Sequence, residues 1–169
     1  MNSELIPVVN EQDIFIENRP RKEVHRLGLR HRAVHILVFN DMGQLFLQKR
    51  SLTKDINAGL WDTSAAGHVD ANESYDACAH RETIEELGVC VGKTLSYICK
   101  ITAKPETGME FVQVYRCQHN GPFTLEAAEI DDGQWFSIAD ISQRVANDDP
   151  SLTDTFKTLW LKFRKLGHA

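Results

Sequence analysis

The chain has 169 residues, enough for one domain with a substantial buried core. Apolar residues make up 42% and charged residues 25%, the balance of a soluble globular protein. The net charge of −5 excludes the basic footprint of a duplex-binding protein, so no nucleic-acid partner is expected. No run approaches the ~18 apolar residues needed to cross a bilayer, so no membrane partner is expected either. The opening MNSELIPVVNEQDIF has no basic segment ahead of a long apolar run, which argues against a signal peptide. Cys78, Cys90, Cys99 and Cys117 lack zinc-type spacing and a disulfide-framework pattern, so reduced thiols in a cytoplasmic protein are expected. An anionic substrate would need local cations, from bound metal or a small basic cluster.

In chain order, residues 6–9, 10–13 and 14–16 read as strand, turn and strand, and residues 20–29 as a short helix from Pro20 to Gly28. Residues 33–39 are apolar and β-branched. With the turn Asn40-Asp41-Met42-Gly43 and the alternating residues 44–48 they read as a hairpin. Residues 51–60 are loop-like, and 61–66 fit a short buried strand. Residues 73–87 form the clearest helix, capped by Asp70 or Asn72 and ended by Gly88. Residues 89–99, 111–117 and 134–136 read as strands, and 138–145 as a short helix. Apolar residues at 152, 156, 159, 160, 163 and 166 give a C-terminal helix over 151–166 with one buried face. No linker divides the chain, which predicts α/β or α+β architecture in one domain over 1–169, with a hairpin and short helix in 1–30.

The segment 67–89 reads GHVDANESYDACAHRETIEELGV. At 3.6 residues per turn, Ala77, Ile84 and Leu87 share one arc and are expected to face the core. Glu82, Glu85 and Glu86 share roughly the opposite arc. Like charges at these spacings repel by a few tenths of a kcal/mol per pair, so the cluster needs a cation or solvent screening. Magnesium, which prefers carboxylate, water and phosphate oxygens, suits such a stripe, and Arg81 is placed to orient one carboxylate. A plain solvated acidic face is the alternative.

The same segment resembles the signature of the Nudix hydrolase family, G-x5-E-x7-R-E-U-x-E-E-x-G-U with U a bulky aliphatic residue. Gly67, Glu73, Arg81, Glu82, Glu85, Glu86, Gly88 and Val89 stand at the required spacings, and Thr83 departs from an aliphatic position. The resemblance implies an α/β/α sandwich with a mixed sheet. It implies Glu82, Glu85 and Glu86 as ligands of Mg2+ (or Mn2+), and a supporting role for Glu73.

Beyond this box, residues 31–61 and the pair Gly67-His68 resemble the branch that includes isopentenyl-diphosphate isomerases and their hydrolase relatives. In those isomerases a cysteine precedes the Gly-His pair and transfers protons, and here that position is Ala66. His31 and His68 match metal-binding histidines, and His25 lies one residue from the third. Glu110 matches a catalytic acid that also binds metal, whereas its companion position is Gly108. These imply a second metal site at His31, His68 and Glu110. Arg50 and Lys54 match diphosphate-contacting positions. Glu126 and Glu129 lie where Nudix hydrolases often carry another catalytic glutamate, with Glu129 the better match.

The expected reaction is attack of an activated water on one phosphorus of a small, nucleoside-type diphosphate derivative. Glu85, Glu110 or Glu129 would take the proton, with Arg81 assisting and Arg50 and Lys54 orienting the substrate. Two alternatives stand beside it: an isopentenyl-diphosphate isomerase-like enzyme, and a non-catalytic diphosphate-binding module. No pattern specifies an oligomeric state or the group attached to the diphosphate.

Overall fold

The computed structural model describes residues 3–168; residues 1, 2 and 169, which end the expected ranges 1–30 and 1–169, lie outside it. Strands β1 (Leu5–Val9) and β2 (Phe15–Pro20) pair antiparallel as a separate two-stranded sheet. The Asn10 side-chain oxygen accepts from the backbone N–H groups of Gln12 and Ile14 and closes their turn. Helix α1 (Arg21–Leu27) follows and ends at Gly28, whose φ of 62° is costly for a side chain that carries a Cβ. Ile6, Val8 and Val24 bury against one another beneath this unit.

The main sheet has seven strands and is mixed, as expected. β3 (His31–Phe39) lies parallel to β8 (Glu110–Gln118) over nine residue pairs, and β7 (Ser96–Ile101) runs antiparallel to β8. β4 (Leu45–Arg50) pairs antiparallel with β5 (Trp61–Asp62) and β9 (Ile130–Phe136), and β6 (Ala65–His68) pairs antiparallel with β3.

The expected β3–β4 hairpin survives only at its turn, where Phe39 pairs with Leu45. Past that pair the strands diverge and β6 enters beside β3. The Ser64 hydroxyl spans the fork: it accepts from Val38 N at 2.8 Å and donates to Phe46 O at 2.6 Å. Local alternation marks several of the strands, but the long partners of β3 and β4, β8 and β9, come from residues far away in sequence.

Side chains on β3 alternate between two cores. Ala33, Leu37 and Phe39 pack with α3 (Ile138–Ala146) and α4 (Asp154–Lys165), around Phe156, Leu159, Trp160 and Phe163. Val34, Ile36 and Val38 pack toward α2 (Tyr75–Leu87), with Cys78, Ala79 and Leu87. Helices therefore cover both faces of the sheet, and the α/β/α sandwich holds.

Some expectations need correction. The strand expected over 89–99 is a short 3-10 turn at Gly92–Thr94 followed by β7, and the 61–66 strand is two pieces, β5 and β6. Helix α2 is capped by Ser74, whose hydroxyl accepts from Ala77 N, rather than by Asp70 or Asn72. Leu166 is exposed beyond the end of α4. All four cysteines are free. No helix among the described residues is long and apolar enough to cross a membrane.

One polar cluster ties the first hairpin to the rest. Asp13, at φ 61° in the turn, accepts from Arg32 Nε at 2.6 Å and from the Tyr75 hydroxyl at 2.7 Å, and it also pairs with Lys100. Its carboxylate is 5% exposed. Asp13→Ala would strand the buried ends of these partners, with an expected loss of about 2–3 kcal/mol in urea unfolding. Asp13→Asn tolerates the same backbone conformation and should cost less.

Candidate active site

Helix α2 presents two of its three clustered glutamates to the interior. Glu82 is 9% exposed and Glu86 4%, whereas Ala77 and Ile84, expected in the core, face solvent with Ile84 at 49%. The helix is rotated from its hydrophobic-wheel orientation because it lies over β6 and β3, where a β6 backbone N–H and a side chain from β4 satisfy a carboxylate. Glu86 accepts from Ala66 N at 2.9 Å and from Gln48 Nε2 at 3.3 Å. Thr83 is fully buried and donates its hydroxyl to Ala79 O at 2.7 Å, so its departure from the signature leaves no unsatisfied group. Leu87 is buried as expected, and Gly88 ends the helix at φ 69°.

Gly67 lies against the Glu82 carboxylate, and a Cβ at this position would overlap it. Arg81 holds the acidic group in register. It binds Glu73 bidentately, at 2.7 and 2.9 Å, and reaches Glu82 at 2.8 Å, Glu85 at 3.1 Å and His68 O at 3.1 Å. Glu73 in turn accepts from Asp70 N. Arg81 and Glu73 are absent from the cavity lining, so their place is behind the carboxylates rather than among reacting atoms.

No cation pairs with Glu86 among the described residues. Burial, and then the neighbouring Glu82, push its carboxyl up to about 8. Burial likewise raises Glu82 to about 7, with the repulsion of Glu85 adding to it and Arg81 opposing it. A pair of carboxylates this costly to ionise favours a site that takes up positive charge.

A second cluster lies across β6. Ligand atoms of His25, His31, His68 and Glu110 fall within 4.8 Å of one another. His31 Nδ1 donates to Leu29 O at 2.8 Å, and Nε2 is buried without a hydrogen-bond partner. It faces Glu110 Oε1 at 3.4 Å, and His68 Nε2 lies 3.1 Å from the same oxygen. Burial, with repulsion from His68 and His31, lowers His25 to about 4, so its ring is neutral near pH 7. Burial works to raise Glu110, but the His31 and His68 rings outweigh it and hold the carboxyl well below its ordinary range. Three convergent ring nitrogens and a carboxylate form a donor set suited to a divalent cation.

Both clusters border one cavity of about 830 Å3. Glu82, Glu85, Glu86, His25, His68 and Glu110 line it, and Arg50, Lys54, Glu126 and Glu129 lie along the same lining. The Arg50 guanidinium is anchored to Ile56 O. Lys54 Nζ is 2.5 Å from Glu129 Oε2, so the expected substrate cation and the expected catalytic acid neutralise each other.

Among the lining residues that the sequence reading missed are His35, Asp62 and Arg21. His35 and Asp62 lie on strands that read only as apolar runs, and Arg21 opens a helix read only for its caps. His25, one residue off the matched position, joins the histidine cluster because α1 presents it there. Glu85 remains exposed, unlike its two neighbours.

The chain matches the NUDIX domain model over residues 29–156. It is 32% identical over 160 residues to an uncharacterised Nudix hydrolase of Yersinia pestis, covering 94% of this chain and 86% of that one. It is 30% identical over 159 residues to isopentenyl-diphosphate Delta-isomerase 2 of Photorhabdus laumondii, covering 92% and 90%. The crystal structure of DR0079 from Deinococcus radiodurans superposes with a TM-score of 0.81 at 24% identity, covering 96% of this chain and 99% of that chain. The chain belongs to the Nudix family and is an enzyme of its hydrolase class.

The raised carboxyls fix a pH dependence. A carboxyl whose folded value exceeds its unfolded one binds more protons when folded, so stability falls as pH rises through the folded value. His25 acts in the opposite sense, but its contribution is complete above about 6.5. Without added metal, the protein should therefore lose thermal stability between pH 6.5 and 8.5. Glu86→Gln should flatten that decline in melting curves.

Proposed function

We propose that the protein is a divalent-cation-dependent hydrolase that cleaves the phosphoanhydride bond of a small, nucleoside-type diphosphate derivative, using Mg2+ or Mn2+, with the whole chain acting as one Nudix domain. The observation that carries this reading is the unpaired, buried Glu86 beside Glu82 and Glu85, on a cavity that Arg50 and Lys54 also line. Glu82, Glu85 and Glu86 hold the cation. When bound, such an ion offsets phosphate charge and makes a water nucleophilic near neutral pH.

The chain's own groups do the rest. Arg81 fixes the glutamates, and Arg50 and Lys54 orient the diphosphate. A substrate phosphate that engages Lys54 draws it from Glu129, which is then free to accept the proton of the attacking water. Gly67 lets the backbone of β6 approach Glu82, and no side chain intrudes between them.

We place the chain on the hydrolase side of the branch that includes isopentenyl-diphosphate isomerases. His25, His31, His68 and Glu110 support the branch and a second cation site, as does the relative from Photorhabdus. Ala66 supports hydrolysis, because a methyl group transfers no proton. The histidine cluster is also what favours the isomerase reading, and isopentenyl diphosphate separates the two: released phosphate means hydrolysis, and an isomer of unchanged mass means isomerisation.

Glu85→Gln with Glu86→Gln should lower Mg2+-dependent phosphate release by at least about a thousandfold and leave the melting temperature unchanged or raised. Unchanged turnover in the double variant sinks the assignment. Glu129→Gln should lower kcat with little effect on KM.

A further inference from the structure

We propose that His35 is a specificity residue that accepts a hydrogen bond, through Nε2, from a hydroxyl on the group attached to the diphosphate; this rests on the hydrolase reading above. His35 is 4% exposed, in the middle of β3, and it lines the cavity. It pairs across the strands with Ala66 of β6 and belongs to neither cation cluster.

The hydrogen-bond chain behind the ring favours one tautomer. The Thr63 hydroxyl donates its one proton to Ala65 O at 3.2 Å. Its oxygen lies 2.8 Å from His35 Nδ1, and with that proton already committed it can only accept. Nδ1 therefore carries the hydrogen. Asp62 Oδ1, 3.7 Å from Nδ1, favours the same arrangement electrostatically and is itself held by Thr63 N at 2.7 Å. In the Nδ1–H tautomer Nε2 carries a lone pair, and it has no hydrogen-bond partner among the described residues.

A buried acceptor on a cavity wall discriminates between substrates. A hydroxyl-bearing group satisfies it, and a hydrocarbon group desolvates it without compensation. Directly opposite, Ala66 presents only a methyl group, and facing side chains at such a pair lie about 5 Å apart, so no protein donor competes from that position. The substrate class that follows is a sugar or nucleoside diphosphate rather than a diphosphate of a plain alcohol.

The test compares adenosine diphosphate, its 2′,3′-dideoxy analogue and n-pentyl diphosphate with Mg2+, by phosphate release and by calorimetric binding. The wild-type protein should prefer adenosine diphosphate to the other two by about tenfold or more in kcat/KM or Kd. His35→Phe should erase that preference and leave turnover of the dideoxy analogue within about threefold of wild type. Thr63→Val, which keeps the ring, should reduce the preference. Nitrogen-15 shifts of the wild-type imidazole should show a protonated Nδ1 and an unprotonated Nε2. An Nε2–H tautomer overturns the proposal, as does an equal loss on all three substrates or an unchanged preference in His35→Phe. Should the wild type release no phosphate from any of them, the hydrolase reading falls, and the Kd comparison still decides the role of His35. Should His35→Phe fail to fold, Thr63→Val and the shifts decide it.

Discussion

Beyond the single pair Phe39–Leu45, β3 and β4 are joined through the Ser64 hydroxyl, which accepts from one strand and donates to the other. A sheet that closed fully here would bury its backbone groups against each other and leave no room for a site. The hydroxyl satisfies the two groups that the fork exposes, at a place where an unpaired buried N–H or C=O would cost about 1–3 kcal/mol. β6 can then lie beside β3 and carry Ala66, Gly67 and His68 into the opening. Ala66 N meets Glu86 from there, and Gly67 meets Glu82.

Charge is distributed around this opening in a consistent way. Arg81 offsets part of the repulsion among Glu73, Glu82 and Glu85 from behind, while Glu86 receives only neutral donors. The carboxylates on the cavity side are therefore positioned but not neutralised. Along β3, a backbone carbonyl accepts from the Nδ1 of His31, and the Thr63 hydroxyl lies against the Nδ1 of His35. The two rings consequently differ in their surroundings: the Nε2 of His31 faces Glu110 within the cation cluster, and the Nε2 of His35 has no hydrogen-bond partner among the described residues.

Much of this was legible in the sequence. The fixed spacing from Gly67 to Val89 locates the acidic helix, and spacing survives folding because a helix converts it directly into direction. The orientation of that helix was not legible. Hydrophobicity assigns Ile84 to the core, but β6 and β4 offer Glu86 hydrogen-bond donors and Arg81 offers one to Glu82, and a carboxylate that accepts hydrogen bonds can be buried where one without donors cannot. Strand partners were hidden for a related reason: a period of two fixes a strand's faces and says nothing of its neighbour, so the fork at β3 and β4 had no local signal. His25 falls one residue off its matched position and His35 carries no signal in the sequence, because their surroundings come from α1 and from Thr63, which tertiary contacts supply.

The ion pair between Lys54 and Glu129 gives the cavity a property of its own. Each charge already has a counter-ion, so an arriving polyanion exchanges one partner for another instead of stripping water from a bare ammonium group. Exchange of this kind penalises weak or singly charged anions, which cannot outbid a carboxylate at contact distance, and favours a ligand dense in charge. Under the proposed reading, discrimination among anions would begin at this ion pair, before any contact with the glutamates of α2.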